Sequence, residues 1–215
     1  MRNPTADPRG DDVAGPGAET LRRAFFLDRD GVINKVRYLE NVGDAPIVPR
    51  FLPPDEVRIL PSVAAALRRI RDRGFLAVVV TNQGYIERGV ITPAELDAVH
   101  VRINELLAAE GAALDAFYVC PHTAASRCEC RKPGTLLFRR AAAELGIDLA
   151  ESYMVGDRLS DIEAGRAAGC RESFLVRRGG WGERVLAELD RVPDFPVCDD
   201  LLDVVRTLFP VQESA

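Results

Sequence analysis

RAFFLDRDGVIN, residues 23 to 34, runs an apolar segment straight into two aspartates, Asp28 and Asp30, with Gly31 directly behind them. Residues 24 to 27 have no polar face, so they read as a short strand buried on both sides. Two carboxylates this close raise each other's ionisation cost, and at the end of a buried strand they need a cation, a proton or a reaction to justify them. In isolation DRDG would also suit a plain turn, since Asp and Gly are ordinary turn formers.

Outward from this stretch the chain alternates. PSVAAALRRIRDRG (61 to 74) has helical spacing and ends on Gly, and FLAVVV (75 to 80) is a continuous strand-like run that gives way to TNQG. Thr92, Pro93 and Glu95 form a capping-box start for a helix running to Gly111. The spacing predicts strands over 114–120, 152–157 and 173–180, helices over 133–146 and 160–169, and a last helix near LLDVVRTLF. Strands alternating with helices imply an α/β fold, a doubly wound parallel sheet of Rossmann-like type. Such sheets bind ligands beyond the carboxyl ends of their strands. There stand Asp28 and Asp30, then Thr81 and Asn82, then the Cys120 cluster leading to Arg131 and Lys132, then Asp157. The Pro-rich segment 35 to 60 reads as an irregular excursion over that rim, able to line a substrate entrance.

Composition bounds the partners. The chain has 215 residues, 47% hydrophobic and 28% charged, which suits one core: a single domain over 21–212 behind a disordered leader, 1–20. A formal charge of -5 with scattered Lys and Arg argues against a nucleic-acid partner, and no apolar run reaches the ~20 residues a bilayer requires. Cys120, His122, Cys128 and Cys130 form C-x-H-x5-C-x-C within eleven residues. With no export signal, that pattern favours a reducing, cytoplasmic setting and a closed structural zinc site that pins the loop before Arg131 and Lys132. Cys170 and Cys198 read as isolated thiols, and His100 as a packing or solvent residue.

Carboxylates from two strands, a hydroxyl and a lysine suit phosphoryl transfer. Asp28 and Asp157 can bind Mg²⁺, and Asp28 can attack phosphorus to form an acyl-phosphate. Asp30 is placed to protonate the leaving oxygen and later deprotonate water, provided its neighbouring carboxylate raises its pKa. Thr81 can hold phosphate oxygens, and Lys132 can neutralise developing charge. A signalling receiver domain also carries a phosphoryl-accepting aspartate, but a positioned second aspartate shortens the life of the acyl-phosphate and speaks against it.

FFLDRDGVIN, VVVTNQ, CRKP and MVGDRLSDIEAG resemble, in order, the four motifs of the haloacid dehalogenase-type phosphatases. VCPHTAASRCECRKP is similar to the zinc-containing branch of that family, whose members act on heptose bisphosphate or histidinol phosphate. The resemblance implies a sheet with little or no cap and a zinc-bound loop. It also implies Asp28 as nucleophile, Asp30 as acid and base, and Mg²⁺ on Asp28, the Asp30 carbonyl and Asp157. Asp161 is left between touching the metal and orienting Lys132. Thr81, Asn82, Arg131 and Lys132 are expected on the phosphate or sugar, and Asn34, Arg37, Tyr38 and Arg88 on the leaving group. The expected substrate is a small phosphorylated sugar or amino alcohol. Because Arg131 and Lys132 would repel an amine, the 7-phosphate of D-glycero-D-manno-heptose 1,7-bisphosphate is placed first and histidinol phosphate second.

Overall fold

A computed structural model of the chain describes residues 21–38, 49–178, 180–189 and 192–210. The expected leader, 1–20, and residues 39–48 of the excursion lie outside the described residues. The first strand, β1 (Arg23–Leu27), alternates between two cores: Phe25 and Leu27 join one hydrophobic cluster, Ala24 and Phe26 the other. That period of two, with both faces apolar, is what a central parallel strand requires.

The excursion is less irregular than its prolines suggest. β2 (Arg37–Tyr38) and β3 (Pro49–Arg50) form a two-residue antiparallel ladder, and Pro54–Glu56 makes a 3-10 turn. A proline opens each of β3 and the turn, positions where a missing N–H is tolerated. α1 (Val63–Asp72) buries Val63, Ala64, Ala66, Leu67 and Ile70, and β4 (Phe75–Asn82) follows, buried through Thr81. α2 (Pro93–Ala108) starts at the expected capping box, Thr92 accepting from the Glu95 backbone N–H while Glu95 accepts from that of Thr92.

β5 (Ala116–Cys120), α3 (Leu136–Leu145), β6 (Tyr153–Gly156) and α4 (Leu159–Ala168) complete the expected alternation. β7 (Glu172–Val176) is shorter than the 173–180 run predicted: beyond Val176 the chain leaves the sheet, and Arg177 and Arg178 pair with Asp199. Two elements lacked a clear periodic signal, α5 (Gly182–Glu188) and the edge strand β8 (Val197–Cys198), before α6 (Leu201–Leu208) closes the described chain.

All six strands of the main sheet are parallel, in the order β5-β4-β1-β6-β7-β8. The chain therefore builds outward from β1 to β5, then crosses back to β6 and builds the other way. The point of reversal lies between β1 and β6, where an open α/β sheet leaves a crevice. The two strands are stitched there by the Asp28 N–H, which donates to Val155 O at 2.9 Å.

Candidate active site and cysteine loop

Asp28 leaves β1 at this crevice and Asp157 leaves β6 beside it, so strand adjacency alone brings together residues 129 positions apart. Gly31, at φ +89°, turns the chain immediately afterwards. A Cβ at Gly31 would lie 2.2 Å from Asp157 Oδ2, so the turn needs glycine for its backbone and for its lack of bulk. Gly156 is needed for its lack of bulk alone: a methyl there would meet the Asp161 Cβ at 2.2 Å.

Lys132 reaches into this cluster from the loop before α3. Its Nζ donates to Asp28 Oδ1 at 2.8 Å and to Val80 O at 2.7 Å, and it pairs with Asp161 Oδ1 at 2.7 Å. Burial alone would push the ammonium pKa down, but the Asp161 and Asp28 carboxylates outweigh it and hold it above the ordinary lysine value. Burial lifts Asp28 above the usual carboxylate range, with Lys132 pulling the other way. Burial, with the charges of Asp28 and Asp161, lifts Asp157 further still.

Three carboxylates against one lysine leave an excess of buried negative charge. Asp28, Asp157 and Asp161 offer oxygens within 4.8 Å of one another, and Asp157 Oδ1 is buried with no hydrogen-bond partner among the described residues. An orphaned, buried carboxylate oxygen in such a cluster fits a hard divalent cation. Of the two places left open for Asp161, the structure shows the pairing with Lys132, and Asp161 Oδ2 also accepts the Arg158 N–H at 3.0 Å.

Asp30 departs from expectation. Its neighbouring carboxylate was to raise its pKa; instead it lies below the ordinary value. Burial does push it up, but Arg29, Asn34 and Gln83 more than compensate. Arg29 donates from Nε at 3.2 Å and from its terminal nitrogen at 2.7 Å, while Asn34 Nδ2 and Gln83 Nε2 each donate at 2.9 Å. Four donors satisfy an anion and leave a proton no favourable place.

The other expected site residues divide. Thr81, Asn82, Arg88, Arg131 and Lys132 all line a cleft of about 460 Å³ above the sheet, together with Arg50. Both ends of the Asn82 amide bind the Lys132 backbone, at 3.0 and 3.1 Å, so Asn82 holds that loop in place. Asn34 is 2% exposed, bonds Asp30 and Lys35 O, and does not line the cleft. Arg37 is exposed beside Glu56, also outside the lining, so neither residue stands where the leaving group was expected to be read. The Tyr38 side chain lies outside the described part of the chain. Arg29, Gln83, Arg158 and Trp181 are additions that spacing alone did not reveal: Arg29, Arg158 and Trp181 line the cleft, and the Trp181 N–H donates to Asp157 at 2.7 Å.

Cys120, His122, Cys128 and Cys130 converge on one point. Their Sγ atoms lie 3.3, 3.3 and 3.6 Å apart, and His122 Nδ1 lies 3.2 Å from Cys130 and 3.8 Å from Cys120. The edge of a tetrahedron drawn with Zn–S bonds of ~2.3 Å is about 3.7 Å, close to this spacing. The four residues thus fit a tetrahedral zinc ion. Arg131 is tied to the same loop, donating to His122 O at 2.9 Å.

The sequence pattern of the HAD-hydrolase-like family matches residues 129–204. The D-glycero-beta-D-manno-heptose-1,7-bisphosphate 7-phosphatase of Haemophilus ducreyi is 34% identical over 86% of this chain and 97% of its own length. The D-glycero-D-manno-heptose-1,7-bisphosphate 7-phosphatase of Thermosynechococcus vestitus is 38% identical over 77% of this chain and 83% of its own. Among solved structures, the D,D-heptose 1,7-bisphosphate phosphatase of B. bronchiseptica, complexed with magnesium and phosphate, superposes with a TM-score of 0.73 at 35% identity, covering 86% of this chain and 97% of that one.

Proposed function

The chain belongs to the haloacid dehalogenase-like phosphatases and is a phosphoric monoester hydrolase; on that footing we propose that it removes the 7-phosphate of D-glycero-D-manno-heptose 1,7-bisphosphate. The observation that carries the substrate is the charge of the cleft: Arg29, Arg50, Arg88, Arg131, Lys132 and Arg158 line it against Asp28, Asp30 and Asp161. Six cations against three anions suit a substrate with two phosphates, one at the chemistry and one at the rim, better than one carrying an amine.

Asp28 Oδ1 is held by Lys132, leaving the other oxygen to attack phosphorus. The O–P bond forms as the bond to the C7 oxygen breaks, and that oxygen takes a proton from Asp30. Water then attacks the acyl-phosphate, gives its proton to Asp30, and releases phosphate with Asp28 restored. Asp30 as the structure holds it is ready for the second half; for the first it must gain a proton, against the four donors around it. Thr81 and Lys132 hold the phosphate oxygens. Asp28, the Asp30 carbonyl and Asp157 would hold Mg²⁺, which would supply charge neutralisation on those oxygens. Zinc held by the four cysteine-loop residues would be structural, because a closed set would leave no position for substrate.

Phosphate release from heptose bisphosphate, histidinol phosphate and common sugar phosphates tests this reading. The highest kcat/KM belongs to the heptose bisphosphate, and Arg131→Ala weakens it more than any monophosphate. Asp28→Asn abolishes turnover, whereas Asp30→Asn keeps some attack on nitrophenyl phosphate, whose leaving group needs little protonation. A higher kcat/KM for histidinol phosphate overturns the substrate.

A further inference from the structure

Gln83 follows the two β4 residues expected at the phosphate, and it is 1% exposed. Its backbone N–H donates to Cys120 O at 2.7 Å, so the cysteine-loop strand fixes where it stands. Its side-chain nitrogen donates twice, to Thr81 Oγ1 and to Asp30 Oδ2, each at 2.9 Å. The amide cannot be turned round, because that would place its carbonyl oxygen against the Asp30 carboxylate.

The first bond determines a proton. A hydroxyl oxygen that accepts from Gln83 cannot donate back to the same N–H group, and the Thr81 hydroxyl has no hydrogen bond to a protein acceptor among the described residues. Its hydrogen is therefore left for the cleft that Thr81 lines, where a phosphate oxygen arrives. The second bond determines a carboxylate. Asp30 Oδ1 is held by Asn34 and Arg29, both sequence neighbours, while Oδ2 is held by Arg29 and by Gln83. Gln83 is thus the one donor among these four bonds that comes from another strand, and it ties Asp30 to the phosphate side of the cleft.

We infer that Gln83 is a positioning residue that holds the acid and base aspartate in register with the phosphate-binding threonine. It acts on both halves of the proposed reaction without touching the reacting atoms, and the inference rests on that reading of Asp30 and Thr81. Losing it leaves phosphate bound less well on any substrate, and leaves Asp30 misdirected on substrates whose leaving oxygen needs its proton.

The experiment compares Gln83→Met and Gln83→Glu with wild type on p-nitrophenyl phosphate and on an alkyl phosphate, with melting temperature measured alongside. Met keeps the length without a donor; Glu keeps the shape and puts an acceptor where the donor stood. KM should rise a few-fold on both substrates, while kcat falls about 10- to 100-fold on the alkyl phosphate and less than about threefold on the aryl one. In an Asp30→Asn background the same substitutions should cost the alkyl reaction nothing further in kcat, because the group they direct is already gone. Equal kcat losses on the two substrates, or additive losses with Asp30→Asn, overturn the inference. Should wild type accept other alkyl phosphates but not heptose bisphosphate, the substrate assignment fails alone, and the Gln83 comparison stands on whichever alkyl phosphate is accepted.

Discussion

Replacing Lys132 with methionine deletes a buried charge while nearly preserving volume. Its ammonium sits 2.8 Å from Asp28 and 2.7 Å from Asp161, and its side chain is 2% exposed. At an effective dielectric of about 20, each contact is worth roughly 6 kcal/mol before desolvation is subtracted. Removing one partner of such a cluster costs a net ~3–5 kcal/mol, because the remaining carboxylates stay buried without a counter-charge. For a chain of this size that corresponds to a fall in Tm of roughly 10 °C. The sign of the pH dependence follows from Asp28, which burial already lifts and which loses its main counterweight in the variant. A group raised in the fold favours the fold below its unfolded pKa and ceases to as pH rises through the folded value. The deficit of Lys132→Met is therefore smallest near pH 4 and grows towards pH 8. Urea denaturation of both proteins at several pH values, in chelator so that no cation replaces the ammonium, measures it. A deficit below about 1 kcal/mol, or one independent of pH, would refute the buried-cation account.

Cys128→Ser should cut zinc from one per chain to a small fraction by elemental analysis, with Tm falling by more than about 5 °C; an unchanged metal content contradicts the tetrahedral assignment. Gly31→Ala introduces a Cβ at φ +89° and 2.2 Å from Asp157, so Mg²⁺ affinity by calorimetry should fall at least about tenfold. Gly89→Ala, also at positive φ but in open space, should cost only about 1 kcal/mol of stability and leave Mg²⁺ binding intact. His100 is stacked on Phe117 with ring centroids 4.3 Å apart, and burial lowers its pKa to about 4. It therefore contributes stability above the unfolded value near ~6.5, lost as pH falls through about 4 and worth up to ~3 kcal/mol. His100→Phe should flatten the acid limb of the stability curve, and an unchanged limb rules the histidine out as its source.

Strand and helix order was legible because it depends on short-range pattern: Phe25 and Leu27 against Ala24 and Phe26 already specify two buried faces, and Thr92 with Glu95 specifies a helix start. The clustering of Asp28, Thr81, Lys132 and Asp157 was legible too, since parallel strands deliver their following loops to one edge. The sulfur spacing of residues 120 to 130 is likewise local. What only the tertiary structure decided depends on contacts between distant segments. The order β5-β4-β1-β6-β7-β8 comes from how the crossovers pack, and periodicity carries no record of it. Asn34 and Asn82 are both amides beside candidate catalytic residues; packing alone aims one at Asp30 and the other at the Lys132 backbone. Asp30 is the sharpest case. Its neighbour two residues away argues for a raised pKa, but Arg29 folding back and Gln83 arriving from β4 lower it. The charge state of a buried carboxylate follows from every donor that reaches it, and the chain must fold before those donors meet.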